Sequence, residues 1–123
     1  MSYVQRYVVT LTTNSSGAAT GYTPTVTGQI SAIHYVKTDF ANGVDFTVTA
    51  EATGEAIWSA TDANASTVVA PRQASHSTAG AAALYAGGGS AVLVPIHVAN
   101  DRVKIVIAQG GDTKTGTFHV VVA

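Results

Sequence analysis

The chain has no cysteine, so no disulfide staples the fold and no thiolate is available for chemistry. Charge is scarce. Six basic and seven acidic residues make up 11% of 123 residues, against about 25% in ordinary globular proteins. They are scattered singly and the net charge is −1, which leaves no basic patch of the kind that nucleic acid demands. No apolar run approaches the roughly 18 residues of a membrane span. The opening Met1-Ser2-Tyr3-Val4-Gln5-Arg6 has no continuous apolar stretch and so does not read as a signal peptide. The expectation is a protein made and folded in a cytoplasm, with neither nucleic acid nor membrane as a partner. A free monomer usually keeps a charged, mixed surface. A chain this poor in charge, with a positive mean hydropathy, is expected to cover part of its exterior with other protein and to form a homo-oligomer.

What is present is β-branched residues in alternation. The end of the chain organises the rest. Arg102–Ala108 and Thr115–Val122 read as two strands, and Gln109-Gly110-Gly111-Asp112-Thr113-Lys114 as the turn between them. Side chains alternate along a strand, so Val103, Ile105 and Ile107 share one face and Phe118, Val120 and Val122 another. A Gly-Gly pair supplies the positive φ of a tight hairpin, and a hairpin is the expected pairing. Asn42-Gly43 signals a second hairpin, between Thr25–Lys37 and Val44–Ala50. On Thr25–Lys37, Val26, Gly28, Ile30, Ala32, His34 and Val36 alternate with Ile33 and Tyr35. Apolar residues in both phases predict a strand covered on both sides.

Further strands are predicted over Tyr3–Thr12, Ala56–Ser59, Thr67–Ala70 and Ala91–Val98. Trp58, the single tryptophan, suits a core plug with its N–H near a rim. Pro95 cannot donate to a ladder, so its strand lies at an edge or turns that position outward. The stretch 59–90 is built of Ala, Ser, Thr and Gly and reads as an extended loop or arm suited to lying along a neighbour. The fold class is all-β: an antiparallel β-sandwich of about seven or eight short strands, one domain over 1–123.

No residue pattern commits to chemistry. His34, His76, His97 and His119 lack the close spacing that puts two imidazoles on one metal. A metal-dependent enzyme using His34, His97 and His119 needs ligands gathered from distant positions. Ser75-His76-Ser77 places nucleophile and base on neighbouring residues of an extended chain, where they point apart. Asp39, Asn42 and Asp45 ring a turn without the spacing of a calcium loop. Gly87-Gly88-Gly89 is not followed by Lys-Ser/Thr and is no phosphate cradle. Asn14-Ser15-Ser16 and Asn64-Ala65-Ser66 match the glycosylation triplet, which means nothing without secretion. Glu51 and Glu55 are solvent-side turn carboxylates. A carbohydrate-binding module would need Tyr3, Tyr7, Tyr22, Tyr35, Tyr85 and Trp58 exposed and coplanar, and burial is the commoner use of such residues. The expectation is therefore no catalytic, cofactor-binding or metal-binding residue and no cofactor.

Three stretches carry a resemblance. Tyr22-Thr23-Pro24-Thr25-Val26-Thr27-Gly28-Gln29-Ile30, His34 through Val48, and Val98 through Ala108 with Gly116-Thr117-Phe118 resemble a family of small virion proteins of tailed phages and prophages. The likeness spans most of the chain beyond Gly21. It implies a structural component of the particle, without enzyme activity, assembled in the host cytoplasm and resident in the virion. A capsid decoration (cement) protein bound to the major capsid protein is the first expectation; a head–tail, connector or tail subunit is the second. No functional residue carries over from the family.

Overall fold

The computed structural model describes residues 4–123. Among them are ten strands and no helix: β1 (Gln5–Thr12), β2 (Ala19–Tyr22), β3 (Val26–Lys37), β4 (Asp45–Ala50), β5 (Ala56–Ala60), β6 (Thr67–Val69), β7 (Arg72–Ala74), β8 (Leu93–Asp101), β9 (Val103–Ala108) and β10 (Thr115–Val122). Two antiparallel sheets result. The larger runs β1-β10-β3-β8-β7, with β6 also paired to β3; the smaller runs β2-β9-β4-β5. The expected β-sandwich is present, with two strands more than the sequence announces. β2 and β7 are four and three residues long, too short for alternation to register. Tyr3, expected in the first strand, lies outside the described residues.

The faces read from the sequence hold on β4, β9 and β10. Val103, Ile105, Ile107, Phe118, Val120 and Val122 are all buried, as are Phe46, Val48 and Ala50 of β4. The pairings do not hold. β9 belongs to the small sheet and β10 to the large one, so Gln109–Lys114 is an arch over the core and not a hairpin turn. The same correction applies at Asn42-Gly43, which leads from β3 in the large sheet to β4 in the small one. Asn100-Asp101 also changes sheet, from β8 to β9. Each of these corners needs the positive φ that suggested a hairpin, at Gly43, Gly111 and Asn100. The hairpin that does form is β4–β5, with Phe46 opposite Ala60 and Val48 opposite Trp58.

The arches are tied together at one end. The Gly110 N–H donates to the Gly17 carbonyl at 2.9 Å, and the Gly110 carbonyl accepts from the Ala41 N–H at 2.9 Å. Thr13, buried, donates its hydroxyl to the Gly111 carbonyl and accepts the Lys114 N–H. At the other end Thr23, also buried, accepts the Val103 N–H and donates to the Pro24 carbonyl. Buried hydroxyls satisfied in this way fix the corners without leaving an orphan polar group.

β3 holds a second correction. Its pairing with β10 shifts register between Val121 and Val122, opposite Ala32 and Ile30, so Ser31 is an extra, bulged residue. The bulge reverses the phase. Val26 and Ile30 point inward before it, Ile33 and Tyr35 after it, while Ala32, His34 and Val36 turn outward. Pro95 lies just past the β3–β8 pairing, which stops at Ile96, and sits in register with Arg72 of β7.

The core is one cluster fed by both sheets. At its centre Tyr35 of β3, Phe46 of β4 and Phe118 of β10 meet with ring centroids 5.0–5.1 Å apart. Trp58, half-buried, meets Phe46 edge-on at 4.8 Å. The Tyr35 hydroxyl is buried and finds no hydrogen-bond partner among the described residues, and burial pushes its pKa above the ordinary tyrosine value. Removing an unsatisfied buried hydroxyl recovers its desolvation cost. Tyr35→Phe is therefore expected to be neutral or to stabilise the fold by about 1 kcal/mol in urea unfolding; a loss of stability would reveal a partner for the hydroxyl.

Candidate functional site

The outer face of the large sheet is where sequence and geometry depart from an ordinary solvated surface. Register alone builds it. Val8 of β1 lies opposite His119 of β10, His119 opposite His34 of β3, and His34 opposite Val68 of β6. One row thus crosses four strands. On one side of it runs Arg6–Val121–Ala32, and on the other Thr10–Thr117–Val36. Arg6, His34, Val36, His119 and Val121 line a shallow depression of about 280 Å³. Val8, Val36 and Val68 remain 52%, 41% and 58% exposed. The apolar residues on both faces of β3 signal cover on both sides; among the described residues nothing covers the outer one.

No carboxylate lies on this face. Asp39, Asp45, Glu51, Glu55, Asp62, Asp101 and Asp112 all sit at turns or strand ends, where three accept main-chain N–H groups of other segments. Asp39 accepts the Thr115 N–H, Asp45 the Asp62 N–H, and Asp101 the Ala52 N–H. Arg102, whose guanidinium lies 4.1 Å over the Tyr22 ring, pairs with Glu51. The carboxylates thus serve the corners, and the broad face is left to valine, threonine, imidazole and the Arg6 guanidinium.

The residues weighed in the sequence for chemistry fall elsewhere. His34 and His119 are brought together, but His97 faces Gln29, five residues along β3 from His34, or about 16 Å. His76 sits in the arm, bridged to Ala82. Among the described residues no three metal-ligating side chains gather. Asp39, Asn42 and Asp45 do not converge: Asn42 accepts from the Lys37 ammonium, while the two aspartates cap different segments. The Ser75 hydroxyl donates to the Val92 carbonyl. Of the aromatics weighed as a sugar platform, Tyr35 is in the core and Tyr22 lies under Arg102.

The arm is narrower than 59–90, because β6 and β7 take up its first half. It runs from Ser75 to Val92 and is held by its own main chain. The Ser75 N–H donates to the Val92 carbonyl, the Ala83 N–H to Ser75, and the Val92 N–H to Ala83, each at 2.8 Å. Ser77–Gly80 and Ala86–Gly89 are its turns. Leu84 and Tyr85 stand exposed on it, Tyr85 at 76%. It buries almost nothing, so main-chain bonding, helped by the Ser75 and Ser77 hydroxyls, shapes it.

No motif in the sequence singles out Arg6, Val8 or Val68 as site residues. Val8 carried a signal: it is apolar in the outward phase of β1, beside Arg6 and Thr10. The chain matches no protein-family model, no curated protein and no solved structure.

Proposed function

We propose that this protein is a non-catalytic structural subunit of a bacteriophage particle, of the capsid-decoration kind, which docks on the shell through the outer face of its large sheet. The observation that carries this reading is the uncovered row Val8–His119–His34–Val68, flanked by Val36 and Val121 and free of carboxylates. Exposed apolar residues gathered on one sheet face and rimmed by polar ones favour an interaction site. The scarcity of charge, the self-supporting arm and the resemblance at Tyr22–Ile30, His34–Val48 and Val98–Phe118 support it. The partner is the major capsid protein or, at the head–tail junction or in the tail, a connector or tail subunit; which purified particle fraction retains the protein separates these.

Co-sedimentation with capsid shells tests the docking face. The wild-type chain is expected to pellet with shells. Val36→Lys combined with Val121→Lys puts two unpaired charges into the contact without touching the core, and weakens retention at least about tenfold, or 1.4 kcal/mol. Deleting Thr78–Gly88 leaves the urea midpoint almost unchanged and weakens retention as well. A wild-type chain that stays in the supernatant with every particle fraction, or a lysine variant that binds as tightly as wild type, contradicts the proposal.

A further inference from the structure

Sheet edges are aggregation hazards, and proteins blunt them by shortening, bulging, proline or charge. Most edges here are blunted. β6 and β7 have three residues each. β2 has four, including Gly21. β5 has five and a register shift against β4. β1 is the exception. It has eight residues, pairs with β10 through eight consecutive positions without a shift, and contains no proline, no glycine and one charge, Arg6.

The direction of its free main-chain groups follows from register. The Thr13 N–H donates to Lys114, and the Asp39 N–H to Thr115. Even-numbered residues of β10 therefore turn their main chain towards β1, and odd-numbered ones towards β3. Gln5, Tyr7, Val9 and Leu11 are the β1 partners of the even positions. The N–H and C=O groups of Arg6, Val8, Thr10 and Thr12 consequently point away from the sheet. None of them finds a main-chain partner among the described residues.

We infer that two copies of this chain pair through β1, antiparallel about a twofold axis, joining their large sheets into one. Only an extended polypeptide presents donors and acceptors at the spacing of that edge, and β1 is complementary to itself. With the axis at Val9, Val8 of one copy lies opposite Thr10 of the other, and Arg6 opposite Thr12. The two arginines stand at opposite ends of the seam. On the inner face Tyr7 meets Leu11. The seam forms about eight main-chain hydrogen bonds, is isologous as twofold contacts are, and makes the two outer faces continuous. This deepens the assembly reading by naming the contact between copies, and it would double the docking surface of each unit.

Light scattering after size exclusion, with amide exchange by NMR on the wild-type chain, tests it. The expected result is a dimer in which the amides of Arg6, Val8, Thr10 and Thr12 are protected along with those of Tyr7, Val9 and Leu11. In Val8→Pro the lost N–H is one that β10 does not use, so the variant is expected to be a folded monomer or to dimerise at least about tenfold more weakly. If that variant fails to fold, the exchange pattern of the wild type decides. A monomeric wild type, a dimer whose even-numbered β1 amides exchange freely, or a folded Val8→Pro dimer as tight as wild type overturns the inference. A monomer still retained by shells overturns the β1 seam and leaves the docking face standing. A β1-paired dimer that no shell retains does the reverse.

Discussion

Phe46→Ala is expected to remove about 3–5 kcal/mol of folding stability. Phe46 meets aromatics of both sheets: Tyr35 and Phe118 from the large one, each with centroids 5.0 Å away, and Trp58 from its own. Edge-on geometry with Trp58 and Phe118 adds to the area it buries. The neighbours are held by two ladders and cannot collapse into the space, so a cavity remains. Domains of this size have about 5–15 kcal/mol in total, which makes the loss a large share. The urea midpoint should fall with an unchanged slope. A loss under about 1 kcal/mol would mean the two sheets close over the gap, and that the core is far more plastic than its close packing implies.

Gly116→Val is expected to destabilise by about 3 kcal/mol, against strand propensity, which favours valine by up to about 1 kcal/mol. A Cβ at Gly116 would stand 2.3 Å from Phe40 Cε2 and 2.6 Å from its Cδ2. Phe40 is 2% exposed and stacks on Tyr35, so its ring has nowhere to go. Overpacking therefore wins over propensity. Phe40→Leu in the same chain should restore part of the loss, because the two positions share one volume. Midpoints of the two single variants and the double variant measure the coupling, and additive losses would show that the clash is relieved elsewhere.

Gly116 illustrates how much was legible in the sequence. Glycine inside a strand marks a close approach, yet Thr115-Gly116-Thr117 does not say what approaches, since Phe40 comes from an arch 76 residues earlier. Faces were legible because alternation is local: Val103, Ile105 and Ile107 had to share a side. Partners were not, because an arch and a hairpin impose the same alternation and the same positive φ at Gly43 and Gly111. The bulge at Ser31 left no mark, since serine suits a ladder and a bulge alike. It decided the site all the same, by turning His34 to the outer face opposite His119 and Val68. The double-sided apolar pattern of β3 announces a covered face, and its outer side, bare among the described residues, is the proposed docking surface. Val8 was legible in principle, as a valine among the outward residues of β1.

An electron-microscopy map of phage particles assembled in cells that make this protein is the decisive measurement. The expected density shows the β-sandwich with Val8, Val36, Val68 and Val121 of its six-stranded sheet pressed against a shell or tail subunit. Particles lacking the protein, or a bound sandwich whose six-stranded face lies bare to solvent, would contradict it.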